Sequence, residues 1–144
     1  MKVIIAGSRN FTDYEVVKAA CEESGFEFSE VVSGAARGVD TLGEHYAKEI
    51  GVSVVEFPAD WKNLKAPGAR IKHGPFGMYN ANAGHDRNKQ MAKYADALVA
   101  IWVNDSPGTA SMIKLAHKHG LKVFVKRYAM KMGGKLEELT DESN

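Results

Sequence analysis

Short apolar runs, mostly β-branched, recur along the chain at Val3-Ile4-Ile5-Ala6, Val31-Val32, Val52 to Phe57, Ala97 to Val103 and Leu121 to Val125. They show little polar alternation, as expected of strands covered on both faces in a parallel sheet. Between them the apolar positions take a helical period. Asp13 to Ser24 places Val16, Val17, Ala20 and Cys21 on one stripe, and Thr41 to Ile50 carries Tyr46 and Ala47. Thr12 with Glu15, and Thr41 with Glu44, have the spacing of a capping box, and Gly25, Gly51 and Gly120 are stops. Asp86 to Tyr94 and Thr109 to His119 make four helices. The order βαβαβ-loop-αβαβ predicts an α/β protein: a single Rossmann-like, doubly wound domain with a mostly parallel sheet of about five strands. No repeat of 20–50 residues runs through it.

Two segments fall outside this rhythm. Residues 58–84, a loop insert within a domain spanning 1–127, hold three of the four prolines, with Trp61, Phe76 and Tyr79 scattered among basic residues. A loop of that length in a compact domain is commonly functional. Its aromatics give it apolar area to bury, so a lid or a dimer contact is expected rather than disorder. Residues 128–144 read as a polar C-terminal tail, which either docks one short turn through Leu136 and Leu139 or frays.

Composition narrows the classes. At 144 residues, 44% hydrophobic and 26% charged, the chain is an ordinary globular domain. A net charge of +1 supplies no field toward nucleic acid or a membrane surface. Cys21 is the one cysteine, so neither an internal disulfide nor a cysteine-based zinc site is available. The longest apolar stretch, Ala95 to Val103, is too short for a bilayer and is broken by Asp96. The first residues lack the apolar centre of a secretory signal, and a cytoplasmic protein is the expectation.

In doubly wound sheets ligands bind at the carboxyl ends of the strands. Here those ends run into Gly7-Ser8-Arg9-Asn10, into Ser33-Gly34-Ala35-Ala36-Arg37-Gly38 with Asp40 beyond, and into Ser106-Pro107-Gly108-Thr109. Glycines admit a ligand close to the backbone, free amides at a helix start favour an anion, and arginines grip phosphate bidentately. Three such loops at one sheet edge, two with an arginine, point to phosphate binding, with Asp86, Arg87 and Asn88 of the third helix beside them. No G-x-G-x-x-G, Walker A or G-x-S-x-G motif is present, which argues against an ordinary NAD site, an ATPase and a serine hydrolase. His117 and His119 face about 200° apart on their helix and cannot share a metal. No metal site and no cofactor are expected.

The segments GSRNF, VVSGAARGVDTLGEHYA, EFPADW, AGHDRNKQM and DSPGTASMIKLA resemble the SLOG superfamily, in its YspA-like branch, over roughly residues 2 to 126. The 58–84 insert departs from the shorter loop of that family. Two related families imply different functions. Lonely Guy phosphoribohydrolases release a base from a nucleoside 5′-monophosphate. Their M-H-x-R-K-x-x-M segment looks like Gly84 to Met91, which puts Arg87 on the functional arginine. Their P-G-G-x-G-T-x-x-E segment looks like a shortened Ser106 to Thr109, with Met112 in place of the catalytic glutamate. The S-G-x-A-x-G-x-D stretch of the DNA-processing protein A family, which binds single-stranded DNA, is similar to Ser33 to Asp40.

The resulting expectation is a nucleotide-binding domain whose ligand is a nucleotide or nucleotide-derived small molecule. Gly7, Ser8, Arg9, Ser33, Gly34, Arg37, Gly38, Asp86, Asn88, Ser106, Gly108 and Thr109 are its candidate binding residues. If it hydrolyses an N-glycosidic bond, Asp40 and Arg87 are the candidate catalytic residues: cleavage passes through a cationic sugar that needs a carboxylate, Met112 has none, Asp40 and then Asp86 are the nearest, and Arg87 would hold the phosphate or ribose. A non-catalytic sensor or sequestering protein is the alternative. Single-strand DNA binding is the third reading, for which only the insert supplies basic residues with aromatics. A homodimer is the expected assembly, by the same resemblance.

Overall fold

In a computed structural model, which describes residues 1–139, the alternation of runs becomes a sheet with helices on both faces. The elements are β1 (Lys2–Gly7), α1 (Tyr14–Glu23), β2 (Glu30–Ser33), α2 (Val39–Ile50), β3 (Ser53–Glu56), β4 (Ile71–Gly74), β5 (Gly77–Asn80), α3 (Ala83–Tyr94), β6 (Ala97–Val103), α4 (Pro107–Lys118), β7 (Lys122–Met130) and β8 (Leu136–Leu139). The main sheet has the order β3-β2-β1-β6-β7-β8, parallel throughout except for β8. Alternate residues of the central strands supply two cores. Val3, Ile5, Val31, Val99 and Ile101 pack against Val17 and Cys21 of α1 and Val39 and Ala47 of α2. Ile4, Ala6, Val32, Leu98 and Ala100 pack against Met91 of α3 and Met112 and Leu115 of α4. This is why β1 and β6 read as continuous apolar runs: both of their faces are covered.

The main sheet has six strands, against the five expected. The extra strand comes from the segment read as a polar tail. β7 continues through Tyr128 to Met130, and Gly133 and Gly134, at φ 86° and 81°, turn the chain back so that β8 pairs antiparallel with Arg127 to Met130. Tyr128 and Leu136 pack onto the first core, so the segment has apolar area to bury. Residues 140–144 of the expected tail lie outside the described residues.

Helix starts differ by a few residues from the capping-box reading. Asp13, not Thr12, caps α1, accepting from the Val16 amide at 3.4 Å. α2 begins at Val39, so Thr41 lies inside it and its hydroxyl donates to the Ala36 carbonyl at 2.9 Å. α3 begins at Ala83 rather than Asp86, and α4 at Pro107 rather than Thr109. Proline at a first helical position is favoured because the missing N–H would have no partner there. Within the insert, β4 and β5 form an antiparallel hairpin. Asn80, buried at its base, accepts from the Arg70 and Asn82 amides and donates to the Asn63 carbonyl, tying the insert to the start of α3.

Candidate nucleotide cleft

β1 and β6 are neighbours at the sheet centre, and their connections leave in opposite directions: β1 leads to β2 on one side, β6 to β7 on the other. The loops that follow them diverge and leave a crevice, the switch point of a doubly wound sheet. A cleft of about 390 Å³ occupies it, within the size range of small-molecule sites. Gly7, Ser8 and Arg9 come from the loop after β1, Asp40 from α2, Arg87 and Asn88 from α3, and Ser106, Gly108 and Thr109 from the turn into α4. Met91 and Met112 give it an apolar floor.

The turn into α4 leaves its backbone open to the cleft. Asn104 and Asp105 both take left-handed conformations, at φ 51° and 53°, which swings the chain sharply from β6 into the helix. Arg127 holds that turn, bonding Asp105 at 2.7 Å while lying over the Trp102 ring, and the Trp102 indole donates to the Ser106 carbonyl at 3.0 Å. Among the described residues no side chain caps α4. A Cβ built on Gly108 would meet nothing within 4 Å, so the backbone there is open to the cleft. Thr109 is only 4% exposed, and among the described residues its hydroxyl has no hydrogen-bond partner. A buried, unpaired hydroxyl costs about 1–3 kcal/mol. Its place in the cleft wall, beside the uncapped amides, is where a bound anion would satisfy it.

Across the cleft, Asp40 and Arg87 are buried at 7% and 9% exposure. The Arg87 guanidinium donates to the Gly34 carbonyl through Nη1 and to Asn88 Oδ1 through Nε at 2.9 Å. Asp40 Oδ2 accepts from the Ala36 amide at 3.3 Å. Both side chains converge on Gly34: a Cβ built there would stand 2.5 Å from Arg87 Nη1 and 2.7 Å from Asp40 Oδ2. Burial pushes the Asp40 carboxyl up to about 6, with Arg87, the Ala36 amide and Arg9 pulling the other way and Glu44 adding a smaller upward push. Burial likewise lowers the Arg87 pKa, opposed by Asp40.

The candidate residues do not all reach this cleft. Gly34 and Arg37 line an adjoining lobe of about 320 Å³, which shares Arg9, Ala36 and Arg87 with the first. Ser33 is buried behind the wall: its hydroxyl donates to Glu44 at 2.7 Å and accepts from the Ala35 amide at 3.0 Å, so it shapes the loop. Gly38 lines neither lobe. At φ 74°, its Cβ position would lie 2.1 Å from the Ser8 carbonyl, and Val39 N donates to that same oxygen at 3.1 Å. It seats the second loop against the first. Asp86, one turn into α3, faces a separate hollow beneath the insert with Asp60 and Asn80. Sequence reasoning left out Ala36 and Met91, which line the cleft, and Trp61, which lies 5.3 Å from the Arg9 guanidinium and lines the second lobe. The shared helical face of Arg87 and Met91 carried a signal for Met91. Trp61 carried only its mixture with basic residues. Among the described residues no group of His, Cys, Asp and Glu is placed to hold a metal, and no helix is long and apolar enough to cross a membrane.

Residues 1–64 match the family model of the YspA, cpYpsA-related SLOG family. No curated protein matches the chain. Among solved structures, the chain is similar to DNA processing protein A from Streptococcus pneumoniae, with a TM-score of 0.64 and 21% identity, over 86% of this chain and 49% of that one. It thus spans about half the length of that protein, and at such identity the likeness is one of fold. Residues 1–64 are thus similar to the YspA, cpYpsA-related SLOG family, and over most of its length the chain has a Rossmann-like architecture like that of DNA processing protein A.

Proposed function

We propose that the switch-point cleft binds a nucleoside 5′-phosphate or a close derivative. The phosphate rests on the uncapped start of α4, the sugar lies over Met91 and Met112, and Asp40 and Arg87 face it from the opposite wall. The observation that carries this reading is the buried Thr109 hydroxyl without a partner in the wall of that cleft. Arg9 and Arg87 add guanidinium donors, and a helix N-terminus favours negative charge. Thr109→Val keeps the shape and removes the hydroxyl. Isothermal titration with AMP, GMP and CMP should show weakening by about 1.5–3 kcal/mol for the variant, the range for hydrogen bonds to charged groups. The same variant without ligand should be at least as stable as the parent, since nothing satisfies the hydroxyl there. Unchanged affinity for every nucleotide that binds would contradict this placement.

Hydrolysis of the N-glycosidic bond is a second reading, favoured by Asp40. It is a buried carboxyl in the cleft wall, whereas Met112, at the position the resemblance gives to a glutamate, is part of the apolar floor. A developing oxocarbenium ion would find its counter-charge in Asp40 alone among the lining residues. Release of free base from a 5′-monophosphate, lost in Asp40→Asn, would support it. Binding without release would leave the protein a sensor or sequestering module.

A further inference from the structure

The adjoining lobe has its own chemistry. Arg9, Arg37 and Arg87 line it with Trp61, and no carboxylate is among its lining residues. Among the described residues neither Arg9 nor Arg37 has a carboxylate within ion-pair distance. Arg87 has Asp40 beside it, but Arg9 and Arg37 bring two guanidinium groups without an ion-pair partner to this hollow, and these call for an anion from outside. The Trp61 ring is half-buried, braced edge-on by Tyr79 at 6.4 Å between centroids, and carries the Arg9 guanidinium over one face at 5.3 Å, so a base would stack on its other face. An aromatic face of this kind stacks on any nucleobase. The lobe adjoins the first cleft, with Arg9, Ala36 and Arg87 lining both, so these residues can contact one ligand from both sides.

We propose that the second lobe is a subsite for a second nucleotide, and that the ligand is a 5′-phosphorylated dinucleotide unit. This rests on the nucleotide reading of the first cleft. The terminal phosphate sits at Thr109, the phosphodiester is held between Arg37 and the shared Arg9 and Arg87, and the second base lies on Trp61. A mononucleotide with an extra phosphate would satisfy the arginines and leave Trp61 without a stacked base. A second nucleoside brings the anion and the ring together.

The test is titration calorimetry with AMP, with the dinucleotide pApA and with a 5′-phosphorylated decamer of deoxyadenosine. pApA should bind about tenfold or more tightly than AMP, the least that one hydrogen-bonded charge pair contributes. Arg37→Ala, an exposed side chain that lines only the second lobe, should bring pApA to the affinity of AMP and leave AMP unchanged. Trp61→Leu, which keeps apolar volume, should remove most of the same gain. A decamer that binds like pApA assigns the unit to the 5′ end of a strand, and a decamer that is excluded assigns it to a free dinucleotide. Either result supports the subsite. Equal affinity for AMP and pApA, or a gain that survives Arg37→Ala, would overturn it while the first cleft stands. Failure of AMP to bind would instead overturn the reading on which it rests.

Discussion

Asp40 is a carboxyl raised from an ordinary value of 3.8 to about 6 by burial, with Arg87 and Arg9 too weakly placed to reverse the shift. A raised acid contributes stability below pH 4, where it is neutral in both folded and unfolded chains, and that contribution is lost as pH rises through 6. Ionised Asp40 therefore costs the fold up to about 3 kcal/mol at pH 8, at roughly 1.4 kcal/mol per pKa unit. Asp40→Asn should raise the melting temperature at pH 8, with the gain shrinking as pH falls and vanishing near pH 4. A variant less stable than the parent at pH 8 would show that Arg87 and Arg9 hold the charge favourably after all. If the protein hydrolyses nucleotides, its rate should rise through the same pH window. Asp40 and Thr109 were legible as candidates because they lie at or just beyond strand-end glycine loops, and Arg87 because Gly84 to Met91 resembles the Lonely Guy segment. Ser33, Gly38 and Asp86 share those surroundings, and only the three-dimensional arrangement shows Ser33 spent on Glu44, Gly38 on the Ser8 backbone and Asp86 turned beneath the insert.

At the level of elements, the cleft depends on two loops held in register. The second loop reaches the first only because Gly38 combines a φ of 74° with backbone contact at the Ser8 carbonyl. Gly38→Ala adds left-handed strain of about 1–3 kcal/mol and an overpacking cost of similar size. Chemical denaturation should give a loss of about 2–5 kcal/mol. Gly51→Ala, also left-handed at φ 78° but with nothing within 4 Å, should cost only about 1–2 kcal/mol. Equal losses would mean that the loop contact has no energetic weight. The strands and helices of the doubly wound order were legible because period and burial agree in them. β8 was not, since its two leucines alternate with nothing apolar between them and two glutamates occupy the centre. The Gly133-Gly134 pair was the available hairpin signal. The helix starts shifted because side-chain capping spacing competes with backbone turns that the chain takes up only in the folded loops.

For the molecule as a whole, the insert lines one side of the second lobe with Trp61 and then folds into the β4–β5 hairpin, which carries apolar residues outward. Phe76 at its tip is fully exposed, and Ile71 and Met78 are more than two-fifths exposed. Such area suits the contact of a homodimer. Sedimentation should show a dimer that Phe76→Ser converts to monomer; a monomeric parent would assign the hairpin to the lid role instead. The central claim concerns the anion at α4, and a crystal structure of the protein with AMP tests it most directly. The account predicts the 5′-phosphate within hydrogen-bond distance of the Thr109 hydroxyl and of the first amides of α4, with the ribose between Met112 and Asp40. A phosphate bound elsewhere, or a Thr109 hydroxyl still unpaired beside bound nucleotide, would contradict it.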